Sequence, residues 1–138
     1  MTNFRLELAK AVFILFISTM SSGCGPGPQL PFTEKNSPDN KFTVRIDVSE
    51  PKKILGCEFC RRPFYIYATI QNNLSSENFN VFETRLENDG VPFNKQNISL
   101  RWVSRNTLIV CLRASDLPKR GYHITMEKDV LVSDLNNC

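Results

Sequence analysis

Long apolar runs are the first thing this sequence lacks. The longest starts at Ala11 and extends through Ser18 and Thr19 to Met20, about ten residues, whereas a helix needs roughly 20 to cross ~30 Å of hydrocarbon. A membrane-spanning helix does not fit. Histidine is nearly missing: His123 is the only one. It alternates with apolar neighbours in Tyr122-His123-Ile124-Thr125-Met126, which turns it to solvent or a polar pocket. A catalytic histidine needs a nucleophile and an orienting partner, and no Gly-x-Ser-x-Gly motif supplies one. Charge of one sign is also missing. With 17 basic and 14 acidic side chains, there is no concentrated basic face of the kind nucleic acid requires. Carboxylate pairs such as Glu83/Glu87 and Asp47/Glu50 have the spacing of ordinary solvated faces. There is no internal repeat. Past residue 24 no long segment has a 3.6-residue apolar period, so helices are limited to a turn or two. The expectation is a protein that is not an enzyme and carries no cofactor and no metal.

The short apolar run is informative by position. Arg5 and Lys10 precede it, and Ser21-Ser22-Gly23-Cys24 closes it, as in an export signal. That closing stretch resembles the lipobox of bacterial lipoproteins, in which small residues precede a cysteine that is lipidated on its thiol and becomes residue one after cleavage. The family usually has an aliphatic residue where Ser21 stands, and small residues at 21 and 23 also suit ordinary signal cleavage. Both enzymes would cut before Cys24, and only one would leave a lipid on it. The resemblance implies a palmitate-type anchor on Cys24. With Gly25 in place of the aspartate linked to inner-membrane retention, it also implies the outer membrane over the inner, facing the periplasm.

Four prolines and two glycines fall among the 16 residues from Gly25 to Asn40, a composition that cannot enter a helix or a central strand. It reads as a tether with a root-mean-square span of about 20 Å. The expected organisation is a signal peptide over 1–23, the lipidated cysteine and tether over 24–40, and a single domain over 41–138. Loss of Arg5, Lys10 and Glu7 with the signal leaves 15 basic against 13 acidic side chains.

The domain alternates with period two, the mark of strands with one buried face. Phe42, Val44, Ile46 and Val48 form one such set, and Phe64, Ile66, Ala68 and Ile70 another. A weaker strand covers 81–88. Ile98, Leu100 and Trp102 alternate in one arm of a hairpin, Leu108, Val110 and Leu112 in the other, around Ser104-Arg105-Asn106. Tyr122–Met126 and Val130–Val132 are final short strands. Six or seven short strands separated by turns predict an all-β fold, a small antiparallel β-sandwich with a small barrel as the alternative.

Besides Cys24 there are four cysteines, Cys57, Cys60, Cys111 and Cys138. In an exported chain an even number predicts two disulfides, with three connectivities open. Cys138, the last residue, is expected to be paired, since a bridge there would hold an end that otherwise frays. Cys57-Glu58-Phe59-Cys60 has redox precedent, but a thiol–disulfide enzyme sets such a pair at a helix N-terminus in a βαβ unit, and here it lies between Pro51 and Pro63 in an all-β pattern. Zinc bound by all four cysteines is a weaker reading, because export favours oxidation and Cys111 and Cys138 lack the CxxC spacing.

Lys52-Lys53, Arg61-Arg62 and Lys119-Arg120 read as loop charges that could gather into a patch. Arg61, Arg62, Tyr65 and Tyr67 are candidates for a partner surface, because Tyr and Arg are favoured at interfaces. Asn73-Leu74-Ser75 and Asn97-Ile98-Ser99 match a glycosylation pattern that matters only in a eukaryotic secretory pathway. Together these features predict a lipid-anchored envelope protein that binds a protein partner, of the inhibitor, immunity or accessory-subunit kind. A periplasmic redox protein using the CxxC pair and a structural envelope component are the alternatives.

Overall fold

A computed structural model describes residues 26–51, 62–88, 90–114, 119–136 and 138, and every regular element among them is a β-strand. Eight strands run in chain order: β1 (Pro26–Asn36), β2 (Phe42–Pro51), β3 (Phe64–Asn72), β4 (Asn78–Leu86), β5 (Ile98–Trp102), β6 (Thr107–Leu112), β7 (Arg120–Met126) and β8 (Val130–Leu135). They form two four-stranded antiparallel sheets, ordered β1-β2-β3-β4 and β5-β6-β7-β8. Each sheet is a meander of consecutive strands, so each is contiguous in sequence. The sheets stay open and share one core, which makes a sandwich and removes the barrel alternative.

The inward faces are the ones the alternation marks. Val44 and Ile46 of β2, Ile66 and Ile70 of β3, Leu108, Val110 and Leu112 of β6 and Ile124 of β7 are fully buried. At about 25 cal/mol per Å² of apolar surface removed from water, these side chains are the main favourable term holding the layers together. The two edges stack in order. Lys35 Nζ of β1 donates to the Leu100 carbonyl of β5 at 3.0 Å, and Phe82 of β4 stacks on Tyr122 of β7 with ring centroids 4.0 Å apart. On the single crossing from one sheet to the other, Phe93 packs edge-on against Phe32 at 4.7 Å and lies tilted against Phe64 at 5.3 Å. Two Asx bonds shape that loop, Asn97 Oδ1 accepting from the Asn94 amide and Asn94 Oδ1 from the Gln96 amide, each at 2.8 Å. Among the described residues, the indole N–H of Trp102 is buried without an acceptor, an arrangement uncommon in protein interiors.

The expected tether is corrected over Pro26–Asn36, which is an edge strand. Proline cannot donate to a ladder, but an edge strand has one side that needs no donor. Pro26, Pro28 and Pro31 are accommodated by register shifts between Pro26 and Gln29 and between Pro31 and Thr33. A side chain completes the junction: Ser49, fully buried, donates its hydroxyl to the Gly27 carbonyl at 2.7 Å. The strand count is accordingly eight.

Candidate functional site

Tyr65 and Tyr67 are two residues apart on β3, so both project from the face opposite Phe64, Ile66 and Ala68. That outer face is uncovered by any described element. Register sets their neighbours. Asp47 of β2 and Glu83 of β4 flank Tyr67, while Ser49 and Arg85 flank Tyr65. Adjacent strands lie about 4.8 Å apart, so the two rings and the side chains of Asp47, Glu83 and Arg85 form one continuous surface, while Ser49 is buried under β1. The Arg85 guanidinium lies 5.2 Å from the Tyr65 ring centroid, within cation–π range. Arg45 Nε donates to Asp47 Oδ1 at 2.9 Å, which turns that carboxylate along the strand beside Tyr67. Both tyrosines are half-buried, their ring flanks held by neighbours. The result is a flat aromatic strip edged by charges of both signs, able to stack, donate phenol hydrogen bonds and meet opposite charge, in the manner of interface residues.

Of the residues predicted for a partner surface, Tyr65 and Tyr67 are thus brought together. Arg62 lies two residues before β3 and is half-buried. Arg61, Lys52 and Lys53 lie outside the described residues. Lys119 and Arg120 belong to another place, the end of the sandwich, where with Arg85, Glu87 and Asn136 they line an open cleft of about 700 Å³. There the Arg120 guanidinium donates to the Arg85 carbonyl. Sequence reasoning missed Arg45 and Arg85 as members of the tyrosine surface. Their outward positions are legible in the alternation of β2 and β4, but their adjacency to β3 is not. His123 is on the outer face of the second sheet between Ile109 and Ser133 and is half-buried.

Cys111 and Cys138 form a disulfide with Cα atoms 5.7 Å apart. The bridge stays within the second sheet, tying β6 to the chain end beyond β8. It passes over Gly121 of β7, which lies opposite Cys111 in register, and a side chain at Gly121 would collide with Cys138 Sγ and the Val110 carbonyl. A disulfide removes both sulfurs as zinc ligands. Among the described residues no group of three or more His, Cys, Asp or Glu is arranged to hold a metal. Cys24, Cys57 and Cys60 lie outside the described residues.

The asparagines of both glycosylation-like triplets have structural partners. Asn73 Nδ2 donates to the Asn40 carbonyl at 2.8 Å and to Thr43 Oγ1 at 2.9 Å, and Asn97 Nδ2 donates to the Arg113 carbonyl at 2.9 Å. Compared with known proteins, the chain matches no family model, no curated protein and no solved structure.

Proposed function

We propose that this chain is a lipid-anchored β-sandwich of a bacterial envelope that acts by binding another protein, as an inhibitor, an immunity-type protein or an accessory subunit, and is not an enzyme. The observation that carries the reading is the outer face of the first sheet, where Tyr65 and Tyr67 lie side by side between Asp47, Glu83 and Arg85. Aromatic and arginine side chains on a face that no described element covers are what protein interfaces concentrate. The anchor rests on the lipobox-like Ser21-Ser22-Gly23-Cys24, and an anchored domain whose binding face is formed by sheet side chains needs no cleft to work.

A photo-crosslinking residue installed at Tyr67 in the producing cell tests this, with the same residue at Ile109 on the opposite outer face as control. One discrete adduct is expected at 67 and none at 109. Replacing Tyr65 and Arg85 by alanine should weaken binding by about 30-fold, as for a hot-spot loss of ~2 kcal/mol. Equal adducts at both positions, or none, would remove this face. Intact mass of the same protein reports a lipid on Cys24.

One observation favours a second reading, a periplasmic thiol–disulfide protein. Of the three connectivities open to four cysteines, only one contains Cys111–Cys138, and it leaves Cys57 and Cys60 to each other. Rapid reduction of that pair by a mild dithiol, together with turnover in an insulin-reduction assay, would replace the binding reading by the redox one.

A further inference from the structure

An open sandwich has four sheet edges, and three of them in this fold are blunted. β1 carries Pro26, Pro28 and Pro31 and two register shifts. β4 is interrupted by a bulge at Val81, between the Ala68 and Thr69 partners. β5 has five residues, and its Leu100 carbonyl already accepts from Lys35. These are the devices that keep exposed edges from pairing with other chains. β8 has none of them. Val130-Leu131-Val132-Ser133-Asp134-Leu135 contains no proline, lysine or arginine, and it pairs with β7 without a register shift. It also exposes its apolar side chains, Leu131 to 63% and Val132 to 40%.

The sequence of β8 is self-complementary in one antiparallel register. With the two-fold axis at Leu131, the leucine meets its own copy, and Val130 faces Val132 on either side of the axis. Asp134 of each strand then comes alongside Lys128 at the β7–β8 hairpin tip of the other, and both of these side chains are exposed. Opposite charges and β-branched pairs directly across a ladder stabilise it. Centring on Val132 instead would set Val130 against Asp134 and leave Lys128 without a carboxylate. We propose that β8 pairs with β8 of a second copy in the Leu131-centred register, joining the two second sheets into one layer of eight strands. The axis is normal to that layer, so the tyrosine faces of the two copies point the same way and can engage a partner bivalently.

Sedimentation velocity of the full chain in mild detergent, over a wide concentration range, tests this. A monomer–dimer equilibrium is expected. Leu131→Lys places two ammonium groups at the axis and should weaken the dimer by about tenfold or more. Asp134→Lys alone sets two lysines together on each side of the axis and should weaken it too. Adding Lys128→Asp to that variant should restore it. Retention of the Cys111–Cys138 bridge and of the far-UV spectrum shows that each variant folds. A chain that is monomeric throughout, a dimer indifferent to Leu131→Lys, or a charge swap that fails to restore would each overturn the proposal.

Discussion

Asp39 shows how one exposed side chain makes a turn sensitive to pH. Ser37 donates its hydroxyl to Asp39 Oδ1 at 2.7 Å, and the Lys41 amide donates to the same oxygen at 3.2 Å. The Ser37 oxygen in turn accepts the Phe42 amide at 3.0 Å, and Asn40 takes the left-handed conformation that closes the turn, with φ of 56°. The Ser37 bond first, then the Lys41 bond, favours the charged carboxylate and holds its pKa below the ordinary aspartate range. A depressed folded-state pKa contributes stability that is present above the unfolded value and lost as pH falls through the folded one. The window therefore lies below about pH 4. Urea midpoints in a pH series should fall there, and the gap between native protein and Asp39→Asn, widest at neutrality, should narrow. A constant gap across the series would show that the carboxylate's charge does no work in the turn. None of this turn chemistry needs distant residues, and Ser-Pro-Asp-Asn announces it locally.

At the scale of elements, β1 is the strand that composition hides. Prolines argue against a strand when the ladder on both sides must be filled, and that condition fails at an edge. What holds β1 is pairing with β2 plus a few side-chain ties, chief among them the buried Ser49 hydroxyl on the Gly27 carbonyl. Ser49→Ala should cost about 1 kcal/mol, the net worth of the hydrogen bond that ties the half-buried Gly27 carbonyl to β2. Hydrogen exchange should show β1 amides losing protection while β6 and β7 keep theirs. Uniform loss would mean that β1 unfolds only with the whole sandwich. The other strands were visible in advance to within a few residues. β2, β3 and β6 each bury one face completely, and β5 buries Ile98 with Leu100 and Trp102 half-covered, so a slip of one residue would turn valines and isoleucines to water. β4 begins at Asn78, before the stretch 81–88 that the sequence pattern marks, because the bulge at Val81 breaks the alternation there.

For the whole molecule, two meanders joined by one crossing depend on few long-range restraints. The Cys111–Cys138 bridge, with a sequence separation of 27, is the covalent one among the described residues. In the chain-entropy account, closing such a loop adds ~3–4 kcal/mol, a large share of what a small domain possesses. Replacing both cysteines by serine should lower the urea-unfolding free energy by about that amount and release the chain end after β8. A loss confined to a few tenths of a kcal/mol would mean that β8 is held by its ladder with β7 alone.

The sequence by itself determined what is local: which segments extend, which face of each strand is apolar, and that the result is all-β and layered. Period-two alternation records burial one residue at a time, and it needs no knowledge of neighbours. Only the tertiary structure decided which strands lie side by side. That pairing joined Pro26–Asn36 to the first sheet, chose Cys138 for Cys111, and set Asp47, Glu83 and Arg85 around Tyr65 and Tyr67. Strand order and register arise from contacts between residues far apart in the chain, where the free energy of burying both faces together selects one pairing, and no short stretch of sequence carries that sum.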